Sequence, residues 1–428
     1  MPHGAKWIWR RRSAGCGRIS IDLRAGVAMM RGMISRLVAA LTVLAAPAAA
    51  EVYVPPPPAT VVVGFDRETI TPLIVEGQAN LETERPVEAN DPVRIASISK
   101  LVMSLTALRL VDEGKVNLGR DVSDYLGWQV RSPYHPDAPV TLEHLLMHRA
   151  GLSDAGGYVI PLGESLQAKF ADPASWRDVG KPGEAAFEYA NLGSPLVATV
   201  LEAASGERYD RLVERLVFTP LGVKACLNWI GCGPDVQARA VTLYRHTGEV
   251  AADAPERLPP ACTIPVAEGQ ACDLEAYVPG TNASIFSPQG GVRIGMMDLA
   301  KIGQAQMQAG RTGFLKWESL APLMFSVFVG KTGKAELFCR YGLGVQMIDM
   351  GDPSCDDTLF GTGGPWLGHS GEAYGLLSGL WFNNASQRGF AYFTTQNPPP
   401  DGGEDTGNFT PREKALMARA LGMVATKP

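Results

Sequence analysis

The chain has 428 residues, of which 19% are charged and 46% hydrophobic, and its formal net charge is -5 at pH 7. This is the composition of an ordinary folded protein that is long enough to bury a large core. No basic stripe indicates nucleic-acid binding. After residue 51, no apolar run approaches the eighteen residues that a membrane-spanning helix needs.

Residues 31–50 resemble a secretory signal. Arginines precede an apolar run over residues 37–46, and the small residues Ala48-Ala49-Ala50 follow it. This order of basic, apolar and cleavage regions is typical of export signals. A core helix is the alternative, but Pro47 and four further prolines at 55–58 follow at once and argue against it. We therefore expect an exported protein.

This interpretation divides the chain into three parts. Residues 1–50 are predicted to be the leader, with the true start at Met30 or Met33, and residues 51–60 a proline-rich linker. Residues 61–425 are predicted to form a single domain.

Local patterns predict the main elements of that domain in order. Alternation over Val61–Gln78 predicts a β-hairpin. Leucines at helical spacing predict a helix over Ser99–Asp112, which Gly114 ends. The late apolar runs Tyr341–Met350, Leu376–Asn383 and Gly389–Thr395 predict strands, and Pro411–Val424 predicts a final helix.

Strands at both ends of the chain and a helical middle predict two lobes. One is an α/β lobe built from about 61–115 and 336–425, and the other is an inserted helical lobe over about 116–335.

Six cysteines follow the predicted leader, in three sequence-local pairs. An even number in an exported chain predicts disulfides, although six cysteines allow fifteen pairings. We favour short loops that join Cys226 to Cys232, Cys262 to Cys272, and Cys339 to Cys355. Zinc binding is the alternative, but the chain has no Cys-x-x-Cys and no histidine near these cysteines.

Ser97-Ile98-Ser99-Lys100 is the first candidate for catalysis. Residues three apart share a helix face, so the Ser97 hydroxyl and the Lys100 amine can meet. The helix N-terminus favours a developing negative charge, and a desolvated lysine can act as a base. A serine three residues before a lysine also arises by chance, so the pattern alone is weak.

Tyr189-Ala190-Asn191 and His369-Ser370-Gly371 complete the candidate site. A tyrosine beside a lysine can carry a proton, and an asparagine amide can hold a carbonyl. His369 lies on a predicted strand between Gly368 and Gly371, where backbone N–H groups can face an oxyanion. Each motif also has a purely structural explanation, and their order along the chain gives them weight.

Two other patterns compete with these motifs. Lys331-Thr332-Gly333 is a literal Lys-Thr-Gly, but it lies in a Gly/Lys-rich stretch, so we prefer His369-Ser370-Gly371. His144 and His148 are spaced like a zinc pair, but no third ligand is evident and we interpret them as structural.

Ser-x-x-Lys, Tyr-x-Asn and His-x-Gly together resemble the β-lactamase-related serine hydrolases, namely the group of class C β-lactamases, D-alanyl-D-alanine carboxypeptidases and esterases. The similarity extends through Leu145–Leu152, Ser287–Gly291 and Tyr341–Gly344, and so covers about residues 60–425. It implies the fold of the penicillin-recognising serine hydrolases, an antiparallel sheet flanked by helices and built from both termini, with an inserted helical lobe.

The resemblance also implies roles. Ser97 would be the acylated nucleophile, and Lys100 and Tyr189 the proton-handling pair. Asn191, His369, Ser370 and Gly371 would bind substrate. The backbone N–H groups of Ser97 and Glu372 would form the oxyanion hole. The large acidic side chain of Glu372 departs from the small residue usual there and argues against carboxylate-bearing substrates.

These roles predict a periplasmic serine hydrolase of bacteria that needs no metal or cofactor. Its substrate would be a small-molecule or peptide acyl compound: an ester, an amide, a D-amino peptide or a β-lactam. The alternative is a penicillin-binding-type protein of the cell envelope with little or no turnover. The sequence leaves open the oligomeric state and which of Lys100 and Tyr189 is the base.

Overall fold

The computed structural model describes residues 58–258, 262–308, 311, 313–324, 327–328, 339–352, 355–361, 363–397 and 409–425. The predicted leader, most of the predicted linker and Lys331-Thr332-Gly333 lie outside these residues.

The main feature is an eight-stranded antiparallel sheet that combines strands from both ends of the chain. The strands in chain order are β1 (Thr60–Phe65), β2 (Ile70–Glu76), β3 (Gln78–Asn80), β4 (Arg85–Pro86), β5 (Val93–Arg94), β6 (Ala225–Leu227), β7 (Leu243–Tyr244), β8 (Val250–Ala252), β9 (Val292–Ile294), β10 (Val327–Phe328), β11 (Arg340–Tyr341), β12 (Gln346–Ile348), β13 (Trp366–Ala373), β14 (Leu376–Asn383) and β15 (Arg388–Thr394). The main sheet has the order β10-β11-β12-β13-β14-β15-β1-β2.

Helices cover both faces of this sheet. They are α1 (Ile98–Asp112), α2 (Ser123–Leu126), α3 (Leu142–Leu146), α4 (Leu166–Ala171), α5 (Gly193–Ser205), α6 (Tyr209–Val213), α7 (Pro234–Ala238), α8 (Met296–Met307), α9 (Trp317–Met324) and α10 (Pro411–Ala425). In β1, Val61 and Val63 join the core on the side of α8, whereas Val62 joins a second cluster with Met417 of α10. Because successive side chains of a strand point to opposite faces and helices cover both faces, β1 is buried along its whole length.

The segments β5, β9 and β6 form a separate three-stranded sheet beside the start of α1. Val93 pairs with Ile294, and Arg94 pairs with Arg293. The chain then turns at Ala96, whose φ is +47°, and enters α1 directly after Ser97. This small sheet therefore holds the turn that carries the candidate nucleophile.

The fold class and most predicted elements are confirmed. The hairpin is β1 and β2 in antiparallel register, and the predicted Ser99 helix begins one residue earlier, at Ile98. The single strand predicted over Tyr341–Met350 is wrong, because the chain turns within it and forms two short strands, β11 and β12. The turn uses Gly344, which has a φ of +72° and lies so close to Ser104 of α1 that no side chain would fit.

Three disulfides link the six cysteines that follow the predicted leader. The bonds join Cys226 to Cys232, Cys262 to Cys272, and Cys339 to Cys355. These are the pairs that the sequence predicts. Each bond closes a short loop, of 6, 10 and 16 residues in sequence separation.

Candidate active site

Ser97 lies between a strained turn and the first turn of α1. Its side chain does not cap the helix, so the hydroxyl is available for other contacts. Among the described residues the Ser97 N–H donates no backbone hydrogen bond, as expected at a helix N-terminus. A nucleophile here has a free backbone donor and the positive end of a helix dipole beside it.

Strand β13 passes directly beside this turn at Gly371. A Cβ on Gly371 would collide with the carbonyl oxygen of Ile95, so only glycine allows this approach. The buried Ser378 hydroxyl of β14 lies 3.1 Å from that same carbonyl oxygen and 3.2 Å from the carbonyl oxygen of Gly371. The third motif therefore packs against the turn that leads into the first motif, and the Ser378 hydroxyl bridges the two segments.

Lys100 is buried at the centre of the site. Its Nζ donates hydrogen bonds to Ser97 Oγ at 3.1 Å, to Asn191 Oδ1 at 2.8 Å and to the Gln289 carbonyl oxygen at 3.3 Å. Burial lowers the pKa of Lys100 to about 7, against a weaker opposing effect of Asp154. A substantial fraction of the amine is therefore neutral at pH 7 and able to accept a proton.

Tyr189 lies over the same lysine. Lys100 Nζ is 4.6 Å from the centre of the tyrosine ring. The His148 ring packs against the Tyr189 ring, tilted by 35° and with 4.4 Å between ring centres, and His148 Nδ1 accepts a hydrogen bond from the Ala190 N–H at 3.2 Å. His148 therefore supports the Tyr-x-Asn loop, which agrees with its interpretation as structural.

Asn191 is held by Asp154, a residue that the sequence reasoning missed. The Asp154 carboxylate accepts hydrogen bonds from Asn191 N at 2.9 Å, from Asn191 Nδ2 at 3.0 Å and from Leu192 N at 2.9 Å. These contacts fix the amide so that its oxygen faces Lys100. No sequence pattern signals the pairing, because the two residues are 37 positions apart in different loops.

His369 is fully buried, and its hydrogen bonds define its tautomer. Its Nδ1 lies 2.6 Å from the Ser370 carbonyl oxygen, which can only accept, so Nδ1 carries the proton. Its Nε2 then accepts from the Tyr341 hydroxyl at 3.1 Å. Burial and the Lys100 charge lower the pKa of His369 to about 3, so the ring is neutral at pH 7. Ser370 is fixed by Gln346, which accepts from its N–H at 3.0 Å.

These side chains surround one cavity of about 710 Å³. Its lining includes Ser97, Tyr189, Asn191, His369, Ser370 and Glu372, and also Arg94, Tyr158, Asn228 and Tyr374. The structure thus brings the three motifs together around a space large enough for a small substrate.

Two further observations concern metals and membranes. Across the described ranges, no group of three or more His, Cys, Asp or Glu residues could hold a metal ion. His144 Nε2 lies against Gly183, and His148 contacts the Tyr-x-Asn loop.

In the part of the chain that the structure describes, no helix has the length and apolar character needed to cross a membrane.

Comparisons with known proteins define the family. A family model described as "Beta-lactamase" matches residues 47–408, so the chain belongs to the β-lactamase-related serine hydrolase family. It is 35% identical over 140 residues to the D-alanyl-D-alanine-carboxypeptidase/endopeptidase AmpH of Escherichia coli K12, covering 31% of this chain and 35% of AmpH. It is 28% identical over 207 residues to the esterase EstB of Burkholderia gladioli, covering 45% of this chain and 51% of EstB.

The matches thus span about half or less of these relatives' own length. Among solved structures, the D-amino acid amidase of Ochrobactrum anthropi SV3 complexed with D-phenylalanine matches with a TM-score of 0.61 and 17% identity. That match covers 86% of this chain and 94% of the amidase, and at this identity it supports the fold alone.

Proposed function

We propose that the protein is an exported serine hydrolase that acts through a covalent acyl-enzyme on ester, amide or D-amino peptide substrates. The observation that carries the proposal is the contact of Lys100 Nζ with both Ser97 Oγ and Asn191 Oδ1, at 3.1 and 2.8 Å. A buried amine with a pKa of about 7, within hydrogen-bond reach of a hydroxyl, is a base matched to neutral pH.

In the first step, Ser97 Oγ attacks the substrate carbonyl carbon. Its proton passes to the pair formed by Lys100 and Tyr189, and the carbonyl oxygen becomes an oxyanion. The backbone N–H groups of Ser97 and Glu372 donate hydrogen bonds to that oxygen. The available Ser97 N–H and the close approach of β13 at Gly371 support this assignment.

In the second step, the tetrahedral intermediate collapses and the carbon bond to the leaving group breaks. The leaving group takes the proton from the Lys100 and Tyr189 pair, and the acyl group stays on Ser97 Oγ. Water, deprotonated by the same pair, then attacks the ester and releases the acid. Asn191 orients the carbonyl group, and His369 and Ser370, which line the same cavity, contact the rest of the substrate.

Three kinds of observation support the substrate range and the export. The named relatives include a carboxypeptidase and an esterase, and a fold neighbour is an amidase. The His369 ring is neutral and both its nitrogens are bonded within the protein, so it brings no positive charge to a β-lactam carboxylate. Three disulfides fit an oxidising compartment such as the periplasm.

The test uses three probes with the mature protein and with Ser97→Ala. Fluorescent penicillin, a fluorophosphonate and a panel of nitrophenyl esters are incubated with each protein. Labelling and ester turnover that depend on Ser97 support the proposal. Labelling without turnover favours the alternative, a penicillin-binding-type protein. Neither labelling nor turnover in the wild-type protein contradicts both.

A further inference from the structure

Arg94 brings a guanidinium group into the wall of the cavity, three residues before Ser97. Its Nε donates to Asp253 at 3.3 Å, and its Nη1 donates to the Gly290 carbonyl oxygen at 3.2 Å. Tyr374 lies against it, with the guanidinium carbon 5.1 Å from the ring centre. The side chain of Arg94 is 17% exposed. It is therefore held rigidly but remains accessible.

The Nη2 group of Arg94 makes no hydrogen bond to protein within the described residues, and it is not among the buried polar atoms that lack a partner. A guanidinium has five N–H donors, and the two hydrogen bonds use two of them. Three donors therefore remain, one on Nη1 and two on Nη2, and arginine N–H groups of this kind bind carboxylates through charge-assisted hydrogen bonds.

Arg94 shares its ion-pair partner with a second arginine. Arg94 and Arg293 are directly opposite each other in β5 and β9, and both contact Asp253. Arg293 is fully buried, and its Nη2 donates to Asp253 at 2.9 Å. Among the described residues these two guanidinium groups share the Asp253 carboxylate, and Arg94 is the member that lines the cavity. Its positive charge favours an anion on the open side.

We propose that Arg94, with Tyr374 packed on it, is an anion subsite of the cavity and that the substrate acylating Ser97 carries a carboxylate. This inference rests on the proposed function. It reverses the expectation drawn from Glu372, which lines the same cavity with the opposite charge. Among the described residues, Asp253 is the only carboxylate within ion-pair distance of Arg94. The substrate preference therefore tests which charge dominates.

The experiment compares two pairs of esters that differ only in a carboxylate. On the acyl side, 4-nitrophenyl hydrogen adipate is compared with 4-nitrophenyl hexanoate. On the leaving-group side, the acetate ester of 3-hydroxybenzoate is compared with that of 3-hydroxybenzamide. Each kcat/KM is divided by the rate constant for hydroxide-catalysed hydrolysis of the same ester, which removes differences in intrinsic reactivity.

We expect the wild-type protein to prefer the carboxylate ester about tenfold or more in one of the two pairs, because a hydrogen bond to a charged group contributes that much. Arg94→Gln should abolish the preference and change the rate on the neutral ester much less. Arg94→Lys keeps the positive charge but loses the planar guanidinium group, so this variant should retain part of the preference for the carboxylate ester. Arg120→Gln is the control, because Arg120 lies outside the cavity in an exposed ion pair with Asp124.

Equal rates or a preference for the neutral esters in the wild-type protein would overturn the inference, whether or not Arg94→Gln folds. A preference that survives unchanged in both Arg94 variants would also overturn it. In these cases all esters are still hydrolysed in a Ser97-dependent manner. If the proposed function itself is wrong, no ester is hydrolysed and Ser97 is not acylated, which is a different result. In that case the inference about Arg94 is wrong as well.

Discussion

Asp154 binds Asn191 through both the backbone and the side-chain nitrogen, at 2.9 and 3.0 Å. The Asn191 amide has one oxygen, and this double contact turns that oxygen toward Lys100 Nζ. The same carboxylate also acts on Lys100 electrostatically, because it raises the pKa of an amine whose burial lowers it. Asp154 therefore positions one member of the candidate site and influences the protonation of another.

Replacing Asp154 with Asn tests both effects. The amide would place N–H groups against the Asn191 donors, so we expect kcat/KM on a nitrophenyl ester to fall about 10- to 100-fold through misplacement of Asn191. Removal of the negative charge also lowers the pKa of Lys100, so the acidic limb of the pH profile should move to lower pH. A loss of activity with an unchanged limb would contradict the electrostatic effect.

The pKa of Lys100 predicts the pH dependence of acylation. Burial lowers it to about 7, and only the neutral amine can accept the Ser97 proton. We therefore expect the rate constant for fluorophosphonate labelling to rise between pH 5 and 8 with a midpoint near 7. His369, with a pKa of about 3, does not titrate in this range. A rate that stays flat from pH 5 to 8 would contradict the role of Lys100 as the base.

The close approach at Gly371 predicts sensitivity to a single methyl group. A Cβ there would meet the Ile95 carbonyl oxygen and the Ser378 hydroxyl, so Gly371→Ala must push β13 away from the turn before Ser97. We expect a cost of about 1–3 kcal/mol in unfolding free energy and a larger relative loss of labelling. Gly422→Ala is the matched control, because nothing lies within 4 Å of its added Cβ. Equal labelling of the two variants would refute the prediction.

The buried Glu202 carboxyl group, which lies outside the candidate site, should make the unfolding free energy depend on pH. This buried carboxylate of α5 accepts hydrogen bonds from Tyr277 Oη at 2.6 Å, Tyr209 N at 2.8 Å and Gly280 N at 2.8 Å. Burial nevertheless raises its pKa to about 7. Because the folded state then binds its proton more tightly than the unfolded state, the stabilisation is fully present below about pH 4.5 and is lost as the pH rises through 7.

The corresponding experiment is urea unfolding at pH 5 and pH 8. Over this range Glu202 should account for up to roughly 3 kcal/mol of the change in unfolding free energy. Glu202→Gln cannot titrate, so its deficit relative to the wild-type protein should be smaller at pH 8 than at pH 5. Parallel curves for the two proteins would show that Glu202 does not titrate in this window.

Much of the site could be predicted from the sequence because its motifs are local. Ser97 and Lys100 lie one helical turn apart, so their spacing suggests the contact between them. The contact of Lys100 with Asn191 joins residues 91 positions apart, so spacing along the chain does not reveal it. The pairing of Asp154 with Asn191 was missed because it depends on how two loops pack.

The arrangement of charged side chains around the cavity also could not be predicted from the sequence. No sequence pattern singles out Arg94. The register of β5 and β9 sets it opposite Arg293, with Asp253 between them. His369 lines the cavity, but its tautomer follows from the Tyr341 hydroxyl and the Ser370 carbonyl oxygen, which spacing does not reveal.

The central claim is that Ser97 forms a covalent acyl-enzyme, and mass spectrometry of the peptide that contains Ser97 tests it most directly. The mature protein is quenched during turnover of a nitrophenyl ester and digested, and the peptide that contains residues 94–100 is sequenced. We predict an acyl adduct on Ser97 that disappears in Ser97→Ala. An adduct on another residue, or rapid turnover that persists in Ser97→Ala, would contradict the account.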